Sequence, residues 1–218
     1  MKRNDHISSI AELSESEGVF TTAQAARMGI PRDALHDGAR AGRLERVARG
    51  AYRLVGSGSE PTDELAAIWK LTAPAKLTHE RAHTGAWDGI AVGGATAASL
   101  LGIGDFYLSP YHIYAPRRIN SRNKDASFAV RKIARDEVSF ESGLPVTVPE
   151  RTIFDLVADD EDRSLVADAL RDACSGRRPF DLDKLEALLA SRYGRRKGER
   201  TLASLLADAG MAGRGPQA

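Results

Sequence analysis

Apolar positions return at helical spacing almost from the start of the chain. Ile7, Ile10 and Leu13, with Ser14, fall on one stripe, which predicts an amphipathic helix over residues 7–17 ending near Gly18. Val19 and Phe20 follow as a short apolar staple. Thr21 or Thr22 is a good N-cap for a second helix, Ala23 to Met28, with Gly29 as its stop. Pro31 fits the first position of a third helix reaching about Ala41 and closed by Gly42. Ala34, Leu35 and Ala39 give that helix a core face. Arg32, Asp33, His36, Asp37 and Arg40 lie mostly on the other. Two strand-like runs come next, Arg43 to Val47 and Ala51 to Val55, with Arg49-Gly50 as the hairpin tip.

The run Gly56-Ser57-Gly58-Ser59-Glu60-Pro61-Thr62 breaks the pattern, and Pro61 then opens a new element. It predicts a domain boundary at about 57–62, with an N-terminal domain over 1–57 and a C-terminal domain over 63–210. Beyond the break, Asp63 to Leu71 reads as a helix with Leu65, Ala66, Ile68 and Trp69 near its buried face. A shorter helix is expected over Thr78 to Ala86, and one packed by small residues over Ala95 to Leu101. Tyr111–Ala115, Ser127–Ile133 and Leu144–Val148 alternate like strands. Pro149 opens a helix, and others are expected at about 162–174, 182–191 and 199–209. Met211 to Ala218 reads as a frayed tail. The fold class is α+β: a winged helix-turn-helix domain, then a mixed α/β domain ending in a helical region.

Composition narrows the function. Of 218 residues, 42% are hydrophobic and 28% charged, so the chain can bury a core and is not a disordered tail. Cys174 is the only cysteine, which rules out an internal disulfide and suits a reducing cytosol. The polar start reads as no signal peptide, and no apolar run reaches the ~18 residues of a membrane span. The expected location is cytoplasmic, away from membranes. The formal net charge is +1, but it is segmented. Arg27 to Arg53 holds seven Arg against three acids, and Arg117 to Arg135 holds seven bases against one. Asp136 to Asp172 holds eleven acids against three Arg, and Arg192 to Arg200 five bases against Glu199. An acidic partner would therefore meet local patches.

The N-terminal patch has the chemistry of DNA recognition. Arg32, His36 and Arg40 stand at i, i+4 and i+8, one stripe on a helix that fits the major groove. Arg46 and Arg49 on the hairpin suit phosphates or the minor groove. The start of the second helix offers backbone N–H groups, the Thr21 and Thr22 hydroxyls and Gln24 to a phosphate.

Three helices followed by a two-stranded hairpin is the winged-helix order. The segment from Phe20 to Leu54, FTTAQAARMGIPRDALHDGARAGRLERVARGAYRL, resembles the N-terminal domain of the AbiEi family of type IV toxin–antitoxin antitoxins. Pro31 departs from relatives that often carry Ser or Thr there. Farther on, the Gly93-Gly94 helix, the Ile113 strand running to Pro116-Arg117-Arg118, and VPERTIFDL are similar to that family's antitoxin domain. The resemblance spans about residues 7–158. It implies an antitoxin that binds its own operator and has a nucleotidyltransferase toxin as partner, with two chains per DNA site expected. Arg117, Arg118, Arg131 and Lys132 are the expected contact for the toxin or for DNA backbone. A winged-helix regulator without a toxin partner is the alternative.

No cofactor is expected. A nucleotidyltransferase needs Gly-Ser followed by two acids spaced by one residue, and after Gly93-Gly94 and Asp105 the second acid is missing. A nuclease would need Glu-x-Lys on a strand, and none is present. His79-Glu80-x-x-His83 matches half of a zinc peptidase motif, with Glu80 as base, but two turns of helix and no third ligand weigh against it. Arg151, Thr152 and Asp155 read as an anchor for the helix that Pro149 opens.

Overall fold

A computed structural model of the chain describes residues 3–58, 60–121, 123–176 and 178–213. Of the tail read as frayed, residues 214–218 lie outside the described residues. The chain divides into two compact units. One runs to Asp88 and includes Ser142–Leu144; the other comprises Gly89–Glu141 and the chain from Pro145 onward.

The first unit begins with α1 (Arg3–Glu17), β1 (Phe20–Thr21), α2 (Thr22–Arg27) and α3 (Arg32–Arg40). The hairpin β2 (Leu44–Ala48) and β3 (Ala51–Leu54) follows, then α4 (Asp63–Leu71) and α5 (Thr78–Ala82). The three strands form an antiparallel sheet in the order β1-β3-β2. Phe20 faces Tyr52 across β1 and β3, and their rings stack at 6.4 Å. Phe20 is fully buried with Ile10, Leu13, Ile30, Leu35 and Leu44. Burial of one such side chain is worth about 1.5–3 kcal/mol, which explains why a two-residue strand persists. Gly50 turns the hairpin at φ 92°, a conformation open to glycine. Pro31 sits at the N-cap of α3 without a side-chain cap, and the helix begins one residue later than expected.

The boundary expected at 57–62 lies within this unit. The Gly56-to-Gly58 stretch does not separate domains but turns the chain back. α4 packs against β1, β2 and β3. Ala67 is buried with Val19 and Ala51, and Trp69 is fully buried. The residues that separate the compact units are Asp88 and Gly89.

The second unit contains β4 (Ala91–Val92), α6 (Gly94–Leu101), β5 (Tyr111–Ala115), β6 (Ala126–Val130), β7 (Val138–Glu141) and, from Pro145 onward, β8 (Leu144–Thr147). Four helices complete it: α7 (Pro149–Ala158), α8 (Arg163–Ser175), α9 (Leu182–Tyr193) and α10 (Arg195–Asp208). The sheet order is β6-β5-β4-β8-β7, with β4 antiparallel to β5 and parallel to β8, and β5 parallel to β6. Ile153, Leu156, Leu170, Leu185, Leu189 and Leu202 lie at the centre of the helical core. α10 begins four residues before the expected start. Gly198 permits this, because its Cα faces the backbone of Ala190 on α9 and leaves no room for a side chain.

Candidate nucleic-acid interface

α2 is fixed from both ends of its first turn. The Thr21 hydroxyl accepts from the Gln24 backbone N–H at 3.1 Å, and the Gln24 carbonyl oxygen accepts from the Thr21 N–H at 2.8 Å. This capping box satisfies two helix-end donors reciprocally. Gln24 also donates to Glu17 at 3.1 Å and to the Lys76 carbonyl at 2.8 Å, while the Thr21 hydroxyl donates to the Pro74 carbonyl. Both residues are fully buried. Thr21 and Gln24 are therefore not available to a phosphate, contrary to the expectation from sequence. Their polar groups are consumed in joining α2 to the segment before α5. Thr22 is half-buried, and its backbone N–H donates to the Gly50 carbonyl at 2.9 Å.

Beneath α2 lies a buried ionic cluster. The Lys70 ammonium donates to the Glu17 carboxylate and, at 2.7 Å, to the Thr78 hydroxyl. The Thr78 hydroxyl and backbone N–H both donate to Glu17. Burial pushes the Glu17 carboxyl up, but Lys70 and Thr78 hold it below its ordinary range. At the surface, Arg27 grips Glu80 through two bonds of 2.7 and 2.8 Å. These contacts tie α1, α2, α4 and α5 together behind α3.

α3 turns its outer face to solvent. Leu35 and Gly38 are buried, whereas Arg32, His36 and Arg40 are exposed. Among the described residues, Arg32 and His36 have no ion-pair partner, and Arg40 meets only exposed Asp37 at 2.5 Å. Arg46 on β2 and Arg49 in the hairpin turn are likewise exposed and have no ion-pair partner among the described residues. The seven arginines from Arg27 to Arg53 thus sort by role. Arg27 is held by Glu80, and Arg53 by Glu45 and Asp63. Among the described residues, Arg32, Arg43, Arg46 and Arg49 meet no carboxylate. Arg43 is the addition to the expected set: its position after α3 read only as the start of a strand. It borders a groove of about 890 Å³ between α1, α3 and the hairpin, floored by Ile10, Ala34 and Leu44.

The zinc-peptidase pattern does not assemble. α5 ends at Ala82, and His83 has the extended conformation of a C-cap, so it leaves the helical face that His79 occupies. Its Nδ1 accepts from the Gly85 N–H at 3.3 Å. Glu80 is no base. First Arg27 and then the Leu77 N–H hold its carboxyl down at about 2.

In the second unit, Arg117, Arg118 and Lys132 are exposed. Arg131 does not belong to an open basic patch. It donates to Asp155 at 2.6 Å and to Asp159, and its guanidinium lies 4.5 Å from the centre of the Tyr114 ring. The carboxylates come from α7 and its C-cap, 24 and 28 residues further along the chain. On α7, Arg151 binds Asp155 and Glu137, each at 2.9 Å, and the Thr152 hydroxyl lies 2.7 Å from that of Thr147 on β8. The set anchors α7.

Residues 8–55 match a family model described as transcriptional regulator, AbiEi antitoxin. No similar sequence is found among curated proteins. Among solved structures, the chain is similar to the RV2827C protein from Mycobacterium tuberculosis, with a TM-score of 0.59 and 17% identity over 96% of this chain and 81% of that one. At that identity the likeness concerns the fold. No helix among the described residues is long and apolar enough to cross a membrane. With three helices, a paired hairpin and this match, residues 8–55 fold as a winged-helix segment that is similar to the AbiEi antitoxin transcriptional regulators.

Proposed function

We propose that the chain is a DNA-binding antitoxin that represses its own operon and counteracts a nucleotidyltransferase toxin. The observation that carries this reading is the set of exposed side chains on α3 and the wing, Arg32 and His36 with Arg46 and Arg49, that have no carboxylate partner among the described residues, on a helix braced by a buried network. An α3-sized helix enters the major groove. Arg32 there can give two hydrogen bonds to guanine, and His36 one. Arg46 and Arg49 suit the phosphate backbone, which carries no sequence information but sets register. A solvated helical surface needs no such separation of paired from unpaired arginines.

The antitoxin half of the proposal rests on the family match and on exposed Arg117, Arg118 and Lys132, which would contact the toxin. Cells producing the cognate toxin test it. Wild-type chain rescues growth and represses a reporter of its own promoter. Arg117→Glu with Arg118→Glu abolishes rescue and leaves repression. Arg32→Ala does the reverse. Rescue that survives the double reversal would contradict the assigned toxin surface.

A further inference from the structure

The junction of α9 and α10 carries a cationic cluster that neither the winged helix nor the proposed toxin contact uses. Arg192, Arg196, Lys197 and Arg200 lie along it, and all four are exposed, with Lys197 in the first turn of α10. Among the described residues, the other arginines of α8, α9, α10 and the connection between α8 and α9 have carboxylates: Arg163 is paired with Asp208, Arg171 with Asp168 at 2.6 Å, Arg178 with Glu141, and Arg195 with Glu199 at 2.9 Å. Among the described residues, Arg192, Arg196, Lys197 and Arg200 have none. Glu199, the one acid between Arg192 and Arg200, is taken by Arg195.

The arrangement has a local cost. Arg196 and Arg200 are an i, i+4 pair of like charge, which weakens an isolated helix. Arg200 Nε donates to the Arg196 carbonyl at 3.2 Å, which holds the Arg200 side chain along the helix toward Arg196. The Lys197 ammonium lies 5.0 Å from the centre of the Tyr193 ring, a cation–π contact that orients it. Gly198 seats this turn closely on α9. The result is a short row of oriented cations on a closely packed helix pair.

We propose that this α9–α10 ridge is a second nucleic-acid contact, which binds the phosphate backbone of duplex DNA without reading its sequence. Closely spaced phosphates complement closely spaced cations, and each neutralised phosphate releases a condensed counterion. Guanidinium groups suit phosphate oxygens through paired N–H donors. No base-reading geometry is involved, so the ridge adds affinity to all duplexes alike. The inference rests on the reading of the chain as a DNA-binding protein and locates a further surface for it.

The test uses the full chain and two fluorescent duplexes, one from upstream of its own gene and one of scrambled sequence. The variant is Arg192→Gln, Arg196→Gln, Lys197→Gln and Arg200→Gln together, with circular dichroism melts to confirm the fold. Loss of four contacts flattens the plot of log affinity against log salt by about 0.9 per contact. Between about 50 and 200 mM salt the variant should then lose about a hundredfold less affinity than wild type, equally on both duplexes. A melt that shows misfolding is met by Arg196→Gln with Arg200→Gln, for which half the slope change is expected. Unchanged affinity and slope in a folded variant overturn the ridge. If Arg32→Ala still removes preference for the upstream duplex, the winged-helix reading stands without it. If wild type binds neither duplex, both fail.

Discussion

Lys70 on α4 donates its ammonium to the Glu17 carboxylate on α1, with only 5% and 3% of the two side chains exposed. The pair stands behind α2 and closes the network that includes Gln24 and Thr78. A buried ion pair stabilises little against an apolar substitute, but leaving one charge alone is costly. Lys70→Met should destabilise the chain by about 3–5 kcal/mol. Glu17→Leu with Lys70→Met should recover most of that loss. Urea unfolding of the single and double variants checks this. Equal midpoints for wild type and Lys70→Met would show that the pair is not closed.

Glu80 sets an acid limit on the first unit. Its folded pKa of about 2 lies below the ordinary 4.5, because Arg27 and the Leu77 N–H favour the carboxylate. A depressed carboxyl contributes stability that is full above its unfolded pKa and lost as pH falls through the folded one. Glu17 acts in the same direction. The melting temperature should therefore fall between pH 4.5 and about 2, and Glu80→Gln should flatten that fall. An acid limb identical in both proteins would remove Glu80 from the account.

Two glycines are required by contact. A Cβ on Gly93 would stand 1.9 Å from a carbon of the Tyr114 ring, which Arg131 covers. A Cβ on Gly198 would meet the Ala190 backbone nitrogen at 2.7 Å. Alanine gains about 1 kcal/mol of helix propensity at an interior position such as 198. Overpacking costs about 1–3 kcal/mol, and backbone cannot move aside as a side-chain tip can. Gly198→Ala should thus lower the melting temperature, and Gly93→Ala should lower it more. Gly38→Ala, which meets only the side chain of Leu44, should be mild. A more stable Gly198→Ala protein would mean that α9 and α10 do not approach this closely.

Much of the first unit was legible because its signals are local. α3 and the wing follow from Leu35, the charges around it and Gly50. β1 and β4 were not, because two residues carry no period and their pairing with distant strands creates them. The Gly-Ser run read as a linker because composition reports a break and not where the chain goes next; burial of Ala67 and Trp69 decides that. Thr21 and Gln24 read as phosphate ligands in sequence because a helix N-cap and a phosphate site use the same residue types. Arg131 looked free because its carboxylates lie far along the chain.

The central claim is that α3 reads DNA, and titration of the upstream duplex at one fixed salt concentration tests it most directly. The readout is fluorescence anisotropy for wild type, Arg32→Ala and Arg49→Ala, each against upstream and scrambled DNA. The predicted result is a loss of about 1–3 kcal/mol for Arg32→Ala on the upstream duplex with little change on the scrambled one. Arg49→Ala should weaken both equally. Equal affinity of wild type and Arg32→Ala for the upstream duplex would contradict the account.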